Sequence, residues 1–186
     1  MPVIKSIQGV LIYTAVVLSA SLAYFAYVYT TYPSVPENET FLTELGEGFG
    51  EVGLWALLFI YARTLLKLVT GKGPIARRLL PDYTPALTAP GMQQLLGLLD
   101  RTHVYVGIAA VAVILVHIGL MGLPMHILFF PALLALVIWQ GLFGMFLTWR
   151  YTPKELKKLA YLVHAQFFTG IMIGVFAWLG HLLVGD

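Results

Sequence analysis

Five stretches of apolar residues, each long enough to cross a lipid bilayer, constrain this chain more than any other feature. Hydropathy places them near residues 4–30, 50–70, 102–123, 126–149 and 159–183. About 20 apolar residues are needed to span the ~30 Å hydrocarbon layer. Each span must be helical because lipid offers the backbone no hydrogen-bond partner. We therefore predict an all-α integral membrane bundle of five transmembrane helices, with a single domain covering residues 1–186.

The composition agrees with lipid as the solvent of this chain. Hydrophobic residues make up 59% of the 186 residues, charged residues 11%, and the mean hydropathy is +0.84. A soluble domain has roughly a quarter of its residues charged. The net charge of only +2 argues against a nucleic-acid partner. Because the sequence has no cysteine, disulfides, iron–sulfur clusters and thiolate metal sites are excluded.

The charged residues between the spans predict which helix ends lie in the cytoplasm. The first connection carries acidic residues only: Glu37, Glu39, Glu44 and Glu47. The second, from Gly71 to Asp100, and the fourth carry the basic residues Lys72, Arg77, Arg78, Arg150, Lys154, Lys157 and Lys158. By the positive-inside rule these basic connections are cytoplasmic, and so is the N-terminus. The second connection should be irregular because it contains four prolines: Pro74, Pro81, Pro85 and Pro90.

Histidines at membrane depth are the candidate functional residues. Ionisable groups are costly there and indicate function by default, although a single histidine more often makes an interhelical hydrogen bond. His103 and His117 are 14 residues apart, which on a helix gives ~21 Å of rise and ~40° of rotation. The two share a face but stand near opposite membrane surfaces. Spans three and five run in the same direction, so His103 and His164 should lie toward the cytoplasm, and His117 and His181 toward the outside.

Two facing helices that each carry two histidines can hold two haems, one above the other. Each histidine pair would ligate one iron from both axial sides, which leaves no open coordination position and suits electron transfer. Bare zinc or copper would instead need ligands about one helical turn apart. The predicted metal ligands are therefore His103, His117, His164 and His181, and the predicted cofactor is haem b, one or two per chain.

The third span also resembles a known family. The stretch LDRTHVYVGIAAVAVILVHIGLM, with its H-x13-H spacing, is similar to the third helix of ferric reductase-like transmembrane domains. KELKKLAYLVHAQFF resembles the start of that family's fifth helix, and FIYARTLLKL the end of its second. The family includes the membrane parts of ferric reductases and NADPH oxidases, and the haem-binding subunit of the bacterial methionine sulfoxide reductase system. The resemblance implies haem ligands on helices three and five, where the four histidines fall.

One spacing departs from the pattern of the family. Sixteen residues separate His164 from His181, which is more than the family usually shows. On a straight helix the two would stand ~25.5 Å apart in rise and ~100° out of phase. Gly170, Gly174 and Gly180 offer places where a bend could correct the phase. Otherwise the chain holds a single haem or uses another axial ligand. His126 is the alternative, although capping the fourth span is its expected role.

Two arginines are candidate partners of the haem propionates. Arg63 lies within span two, where its charge would seek an anion or extend to the lipid headgroups. Arg101 is close in sequence to His103 and would serve the same propionates, with Asp100 as its possible ion-pair partner.

The sequence predicts a membrane cytochrome b, an electron-transfer component of an oxidoreductase system. We assign it no catalytic residue, and we find no Gly-rich dinucleotide fingerprint on a βαβ unit. Electrons should therefore come from quinol or a separate redox protein, with this chain a subunit of a complex in the bacterial inner membrane. One alternative is a quinone-reactive cytochrome b subunit of a larger respiratory or dehydrogenase complex. Another is a non-redox structural or pigment-binding membrane subunit.

Overall fold

The computed structural model describes residues 2–32, 40–73, 76–77 and 90–184. Helices and short turns account for these ranges, and no strand occurs within them. Glu37, Glu39 and Arg78, as well as Pro74, Pro81 and Pro85, lie outside the described residues. Six helices have eleven or more residues: α1 (Pro2–Thr31), α2 (Phe41–Val69), α3 (Pro90–Met121), α4 (Phe129–Thr148), α5 (Lys154–His164) and α6 (Phe167–Val184).

The lengths and surfaces of the helices are those of a membrane bundle. Helices α1 to α4 are each long and apolar enough to cross a bilayer, and α5 with α6 forms a fifth span if the bent pair is counted as one. Large hydrophobic side chains cover the outside of the bundle, including Ile12 (65% exposed), Trp55 (69%) and Ile108 (66%). In water such a surface would aggregate, whereas lipid covers it without cost. The prediction of an all-α membrane bundle is therefore confirmed, and the five predicted spans correspond to four long helices and one bent pair.

The start of α2 corrects the predicted first connection. The helix begins at Phe41, nine residues before the predicted span, because Thr40 provides an N-cap. The Thr40 side chain accepts a hydrogen bond from the Thr43 amide at 3.2 Å, and the Thr43 hydroxyl oxygen accepts one from the Thr40 amide at 2.8 Å. Glu44 then lies in the first turn, where a negative charge is favourable near the helix N-terminus. Acidic residues here belong to the helix rather than to a loop.

The start of α3 corrects the predicted second connection. The interpretation of Pro90 as part of an irregular loop was wrong, because Pro90 is the first residue of α3. Proline is favoured at this position because it lacks the N–H group, which has no partner within the helix at the first residue. Its φ is also already helical. The helix therefore begins twelve residues before the predicted span, and Asp100 and Arg101 are helical residues.

Small residues let α2 pack closely against α3. A Cβ added to Gly53 would lie 3.1 Å from Cγ1 of Ile114, and one added to Gly46 would collide with the Met121 side chain. Bilayers provide little hydrophobic force between helices, so such close backbone approach stabilises the pair through van der Waals contact. Gly46, Gly50 and Gly53 recur every three or four residues and therefore form one face of α2.

Helices α4 and α6 connect the remaining helices. Helix α1 and helix α4 both contact α6, while α4 also contacts α3 and α5. In the described part of the chain, neither α5 nor α6 runs alongside α3 in close backbone contact. A buried apolar cluster holds the end of the bundle near the turn before α4, and it consists of Val28, Ile127, Phe129, Phe130, Leu179 and Leu183. The Leu128 amide donates a hydrogen bond to the Tyr24 hydroxyl at 2.9 Å and ties this turn to α1.

The fifth predicted span is broken. Helix α5 ends at His164, Ala165 and Gln166 form a turn, and α6 starts at Phe167. The two helix axes differ in direction by 48°. The amides of Ala165 and Gln166 donate to the carbonyls of Tyr161 and Val163, which closes the last turn of α5. The sequence suggested a bend at one of three glycines, whereas the break falls directly after His164.

Candidate functional site

The structure brings the four span histidines together as two pairs. His103 on α3 and His164 at the end of α5 have ring centroids 6.0 Å apart, with an angle of 70° between the rings. His117 on α3 and His181 on α6 have centroids 6.1 Å apart, with an angle of 29°. We call these the α5 pair and the α6 pair. The pairs are the two that helix direction predicts, and ~21 Å of rise along α3 separates them.

The distance within each pair suits a metal held from both sides. With metal–nitrogen bonds of about 2.0 Å, two imidazoles on opposite sides of one ion have ring centroids roughly 6 Å apart. Two rings that only pack against each other have no reason to show the same centroid distance in both pairs. In the described residues no three His, Cys, Asp or Glu side chains lie together as a bare-metal site. Each pair therefore offers two nitrogen ligands, and a metal bound there would take its other ligands from outside these residues.

Hydrogen bonds to the backbone orient three of the four rings. Each of these bonds joins Nδ1 to a carbonyl oxygen: His117 to Gly46 at 2.8 Å, His164 to Gln140 at 3.0 Å, and His181 to Ala177 at 2.7 Å. A carbonyl can only accept, so each Nδ1 carries the proton and each Nε2 keeps its lone pair. Metal-binding histidines typically have this arrangement, in which one nitrogen bonds the protein and the other bonds the metal.

The fourth ring, His103, has no such anchor. Its Nδ1 is buried and has no hydrogen-bond partner within the described residues. A buried polar atom without a partner costs free energy, so proteins retain one where it has another purpose. His103 is therefore the least constrained of the four imidazoles.

Two glycines make room for the rings. A Cβ added to Gly50 on α2 would lie 3.0 Å from both Cε1 and Nδ1 of His117. One added to Gly144 on α4 would lie 3.1 Å from Cε1 of His164. The sequence interpretation missed both residues. The signal was present for Gly50, since Gly46, Gly50 and Gly53 repeat at helical spacing.

Other glycines of α3 and α6 differ in how much space lies beside them. Around a Cβ built on Gly107, one turn after His103, there is no other atom within 4 Å, so the space beside the helix is open. Gly174 is likewise open, whereas Gly170 lies against the ring of Tyr61. Of Gly170 and Gly174, only Gly170 therefore makes a close contact with another helix.

A charged cluster lies at the α5 pair. Asp100 on α3 accepts hydrogen bonds at Oδ1 from Arg63 Nε and from Lys67 Nζ, each at 2.6 Å. The expected pairing of Asp100 with Arg101 was wrong, because neighbouring helical residues point ~100° apart and only Asp100 faces α2. Asp100 lies about one turn before His103 on the same helix, so its ion pair holds Arg63 near the α5 pair.

Arg101 lies away from this cluster. It is exposed and lines a shallow groove on α3 together with Pro90, Gln93, Gln94, Gly97 and Leu98. Two residues along a helix correspond to ~200° of rotation, so Arg101 and His103 lie on nearly opposite sides of α3. Proximity in sequence was therefore a poor guide to proximity in space.

An aromatic ring packs against the other pair. The Phe130 ring meets the His181 ring edge to face, with centroids 5.4 Å apart. His126, the alternative ligand, lies instead near Tyr32, with ring centroids 6.1 Å apart. Its expected role as a helix cap is also not seen, since the N-cap residue of α4 is Leu128 and no side chain bonds there.

Comparison of the chain with protein families, with curated proteins and with solved structures finds no match in any of the three. The geometry of the two histidine pairs and their neighbours is therefore the basis for a functional proposal.

Proposed function

We propose that this chain is a membrane cytochrome b, an electron-transfer subunit that binds one haem b at each histidine pair. One observation carries the proposal: imidazoles from separate helices face each other at about 6 Å in two places, at His103 and at His117 of α3. A single such contact would be explained by helix packing. Two of them, at one spacing and at two membrane depths, favour a repeated cofactor site.

The surroundings of the pairs fit a porphyrin better than an ion alone. A porphyrin supplies four of the six ligands of iron, so each site needs only two from the protein. It also needs a gap between helices, and α3 lies apart from α5 and α6 where the rings meet. The open space beside Gly107 adds room on α3 next to the α5 pair.

The residues of the chain would set the properties of the two sites. Bound haem would supply a one-electron couple, and the two histidines of each pair would hold it. The carbonyls of Gly46, Gln140 and Ala177 hold protons on Nδ1 and so keep Nε2 available for a metal. Together the two pairs would provide binding positions near both membrane surfaces, which is the arrangement that electron transfer across a bilayer requires.

Arg63 is the residue that we propose for a haem propionate. Its Nε bonds Asp100, and a guanidinium has further N–H groups that can bind a carboxylate. It lies at the α5 pair, whereas the side of α3 that carries Arg101 is turned away from His103. We therefore assign the propionate role to Arg63 and not to Arg101.

The donor and acceptor would be separate molecules. We propose quinol or a redox protein as the donor, with the chain acting as a subunit of a complex in a bacterial inner membrane. The resemblance of span three to ferric reductase-like domains supports the same proposal. In such a chain the membrane lipid surrounds the bundle, and the chemistry of any substrate takes place in the partner.

An absorption spectrum tests the proposal directly. The protein should be expressed with added haem precursor, purified in detergent and reduced with dithionite. We expect the sharp α and β bands of low-spin haem b and the spectroscopic signature of two axial nitrogen ligands. Chlorophyll bands would instead favour the pigment-binding alternative. A folded, helical protein that stays colourless after incubation with haemin would overturn the haem assignment.

A further inference from the structure

The short helix α5 has three distinct sides. With about 100° per residue, the side facing α4 carries Leu156, Ala160 and Val163, and Ala160 is fully buried. A second side carries exposed Leu159 and Leu162, each 53% exposed, with Glu155 on the same side in the first turn. The third side carries lysines, which continue a basic run that starts before the helix. This run, which we call the basic edge, consists of Arg150, Lys154, Lys157 and Lys158.

The length of the broken span places α5 at a membrane surface. Helix α6 has 18 residues, which is ~27 Å of rise and nearly the ~30 Å thickness of the hydrocarbon layer. The 11 residues of α5 would add ~16 Å, too much for one span. The 48° bend lets α5 turn away from the direction of α6 at this point. Interfacial helices have this combination of an apolar side and a basic side.

The basic edge has no acidic partner in the described part of the chain. The ion pairs among the described residues join Arg63 and Lys67 to Asp100, on helices α2 and α3. Glu155 is the one acidic residue of α5 and makes none of these ion pairs. Arg150 lies over the ring of Tyr151, 5.3 Å from its centroid, and that ring is 74% exposed. The charges are thus left for a ligand outside the protein.

We propose that the basic edge binds the phosphates of anionic phospholipids, with Leu159 and Leu162 inserted among the acyl chains. An acidic protein would satisfy the lysines, but it would leave the two leucines in water on the adjacent side. Exposed Trp149 and Tyr151 flank the helix, and such aromatic residues are enriched at the level of the headgroups. Lipid is the partner that covers all three kinds of exposed side chain at once.

Lipid binding would also position a histidine. His164 is the last residue of α5, so the location of this helix determines where the imidazole meets His103. This second step rests on the proposed haem function, whereas lipid binding itself does not.

Spin labels test the location of α5 without any haem. Because the native chain has no cysteine, Leu159→Cys, Leu162→Cys and Lys158→Cys can each carry one label in nanodiscs. We expect labels at the two leucine positions to collide with dissolved oxygen, as in acyl chains, and the label at Lys158 to collide with an aqueous nickel complex. A leucine label that is as accessible to nickel as the lysine label would overturn the proposal.

Lipid selectivity tests the charges. The native protein and its variants are placed in nanodiscs of phosphatidylcholine with some phosphatidylglycerol. The lipids that each protein retains are identified by native mass spectrometry and compared. We expect Lys154→Gln with Lys158→Gln to lower the preference for phosphatidylglycerol by about fivefold for each lysine. The matching arginine substitutions should keep it, and Lys72→Gln with Arg77→Gln serves as the control at another basic site. Equal selectivity in all variants would overturn the proposal. It would also be overturned if the basic edge bound an acidic protein and retained no phosphatidylglycerol.

Haem spectra of the same nanodiscs test the second step. If lipid positions His164, the glutamine variants should broaden or lose the low-spin signal of one haem and leave the other unchanged. A selective loss of lipid without any spectral change would remove the coupling to His164 but not the lipid site. A protein without haem bands at all would instead point to failure of the proposed cytochrome function.

Discussion

The two histidine pairs share α3 but differ in how their rings are held. In the α6 pair, His117 and His181 both lie inside uninterrupted helices, and both have Nδ1 bonded to a carbonyl. In the α5 pair, His164 is the last residue before a helix break, and Nδ1 of His103 has no partner among the described residues. The angle between the rings is 29° in the first pair and 70° in the second.

Their surroundings differ in the same sense. Apolar side chains pack beside the α6 pair, which lies next to Phe130 and the apolar cluster. Charge surrounds the α5 pair, where Arg63, Lys67 and Asp100 meet. The hydrogen bonds and charges beside metal ligands fix their orientation and electronic properties, so two sites with the same ligands need not behave alike. We expect the α6 site to respond to changes in packing and the α5 site to changes in charge.

The largest effect should come from the histidines themselves. His117→Ala or His181→Ala should remove roughly half of the bound haem, because each removes one of two axial ligands from one site. The haem content per chain is measured by the pyridine haemochrome method. His126→Ala is the control and should retain all of it. If His181→Ala kept its full haem content while His126→Ala lost half, the α6 pair would be wrongly assigned.

A packing change should distinguish the pairs next. Gly50→Val places a branched side chain against the His117 ring, and overpacking of 1–3 kcal/mol should weaken haem binding at the α6 pair roughly tenfold. Titration of the apoprotein with haemin measures the affinity of the two sites. Gly48→Val is the matched control, because the site of its Cβ has no neighbour within 4 Å. Equal weakening by both variants would mean that helix propensity, not the ring contact, is responsible.

A charge change should act on the other pair. Arg63→Gln removes a positive charge that favours the reduced, less positive iron, so the midpoint potential of the α5 site should fall by roughly 20–40 mV. A potentiometric titration followed at the α band resolves the two transitions. Arg101→Gln should shift neither, because that side chain lies on the far side of α3. A shift of both transitions by the same amount in Arg63→Gln would contradict a local effect.

The smallest effect concerns stability. Asp100→Asn weakens the ion pairs that join α2 to α3 and leaves Arg63 and Lys67 facing each other. Because the Asp100 side chain is 43% exposed, the free energy of unfolding should fall by only about 0.5–1 kcal/mol. Unfolding in mixed micelles, followed by circular dichroism, measures the change. Glu51→Gln, which replaces an exposed acidic residue of α2, should have no comparable effect. A loss of several kcal/mol in Asp100→Asn would show a much more buried cluster than the structure has.

The helix boundaries show where sequence patterns were sufficient and where they were not. Long apolar runs located α1 and α4 within a few residues, since lipid requires both the length and the helix. The starts of α2 and α3 were missed because they depend on local chemistry, the Thr40 cap and Pro90 at the first helical position. A polar composition was taken for loop in both places, although polar residues are normal where a helix extends beyond the hydrocarbon layer.

By itself, the sequence determined that the chain is a membrane bundle and that its histidines lie at two depths, because hydropathy and helical rise depend only on residue order. The tertiary structure decided which rings meet. A straight fifth helix would leave His164 and His181 ~100° out of phase. The turn at Ala165 and Gln166 allows both to meet a histidine of α3. Gly50 and Gly144 likewise gain their meaning from imidazoles far away in the sequence, a relation that exists only once the helices are packed.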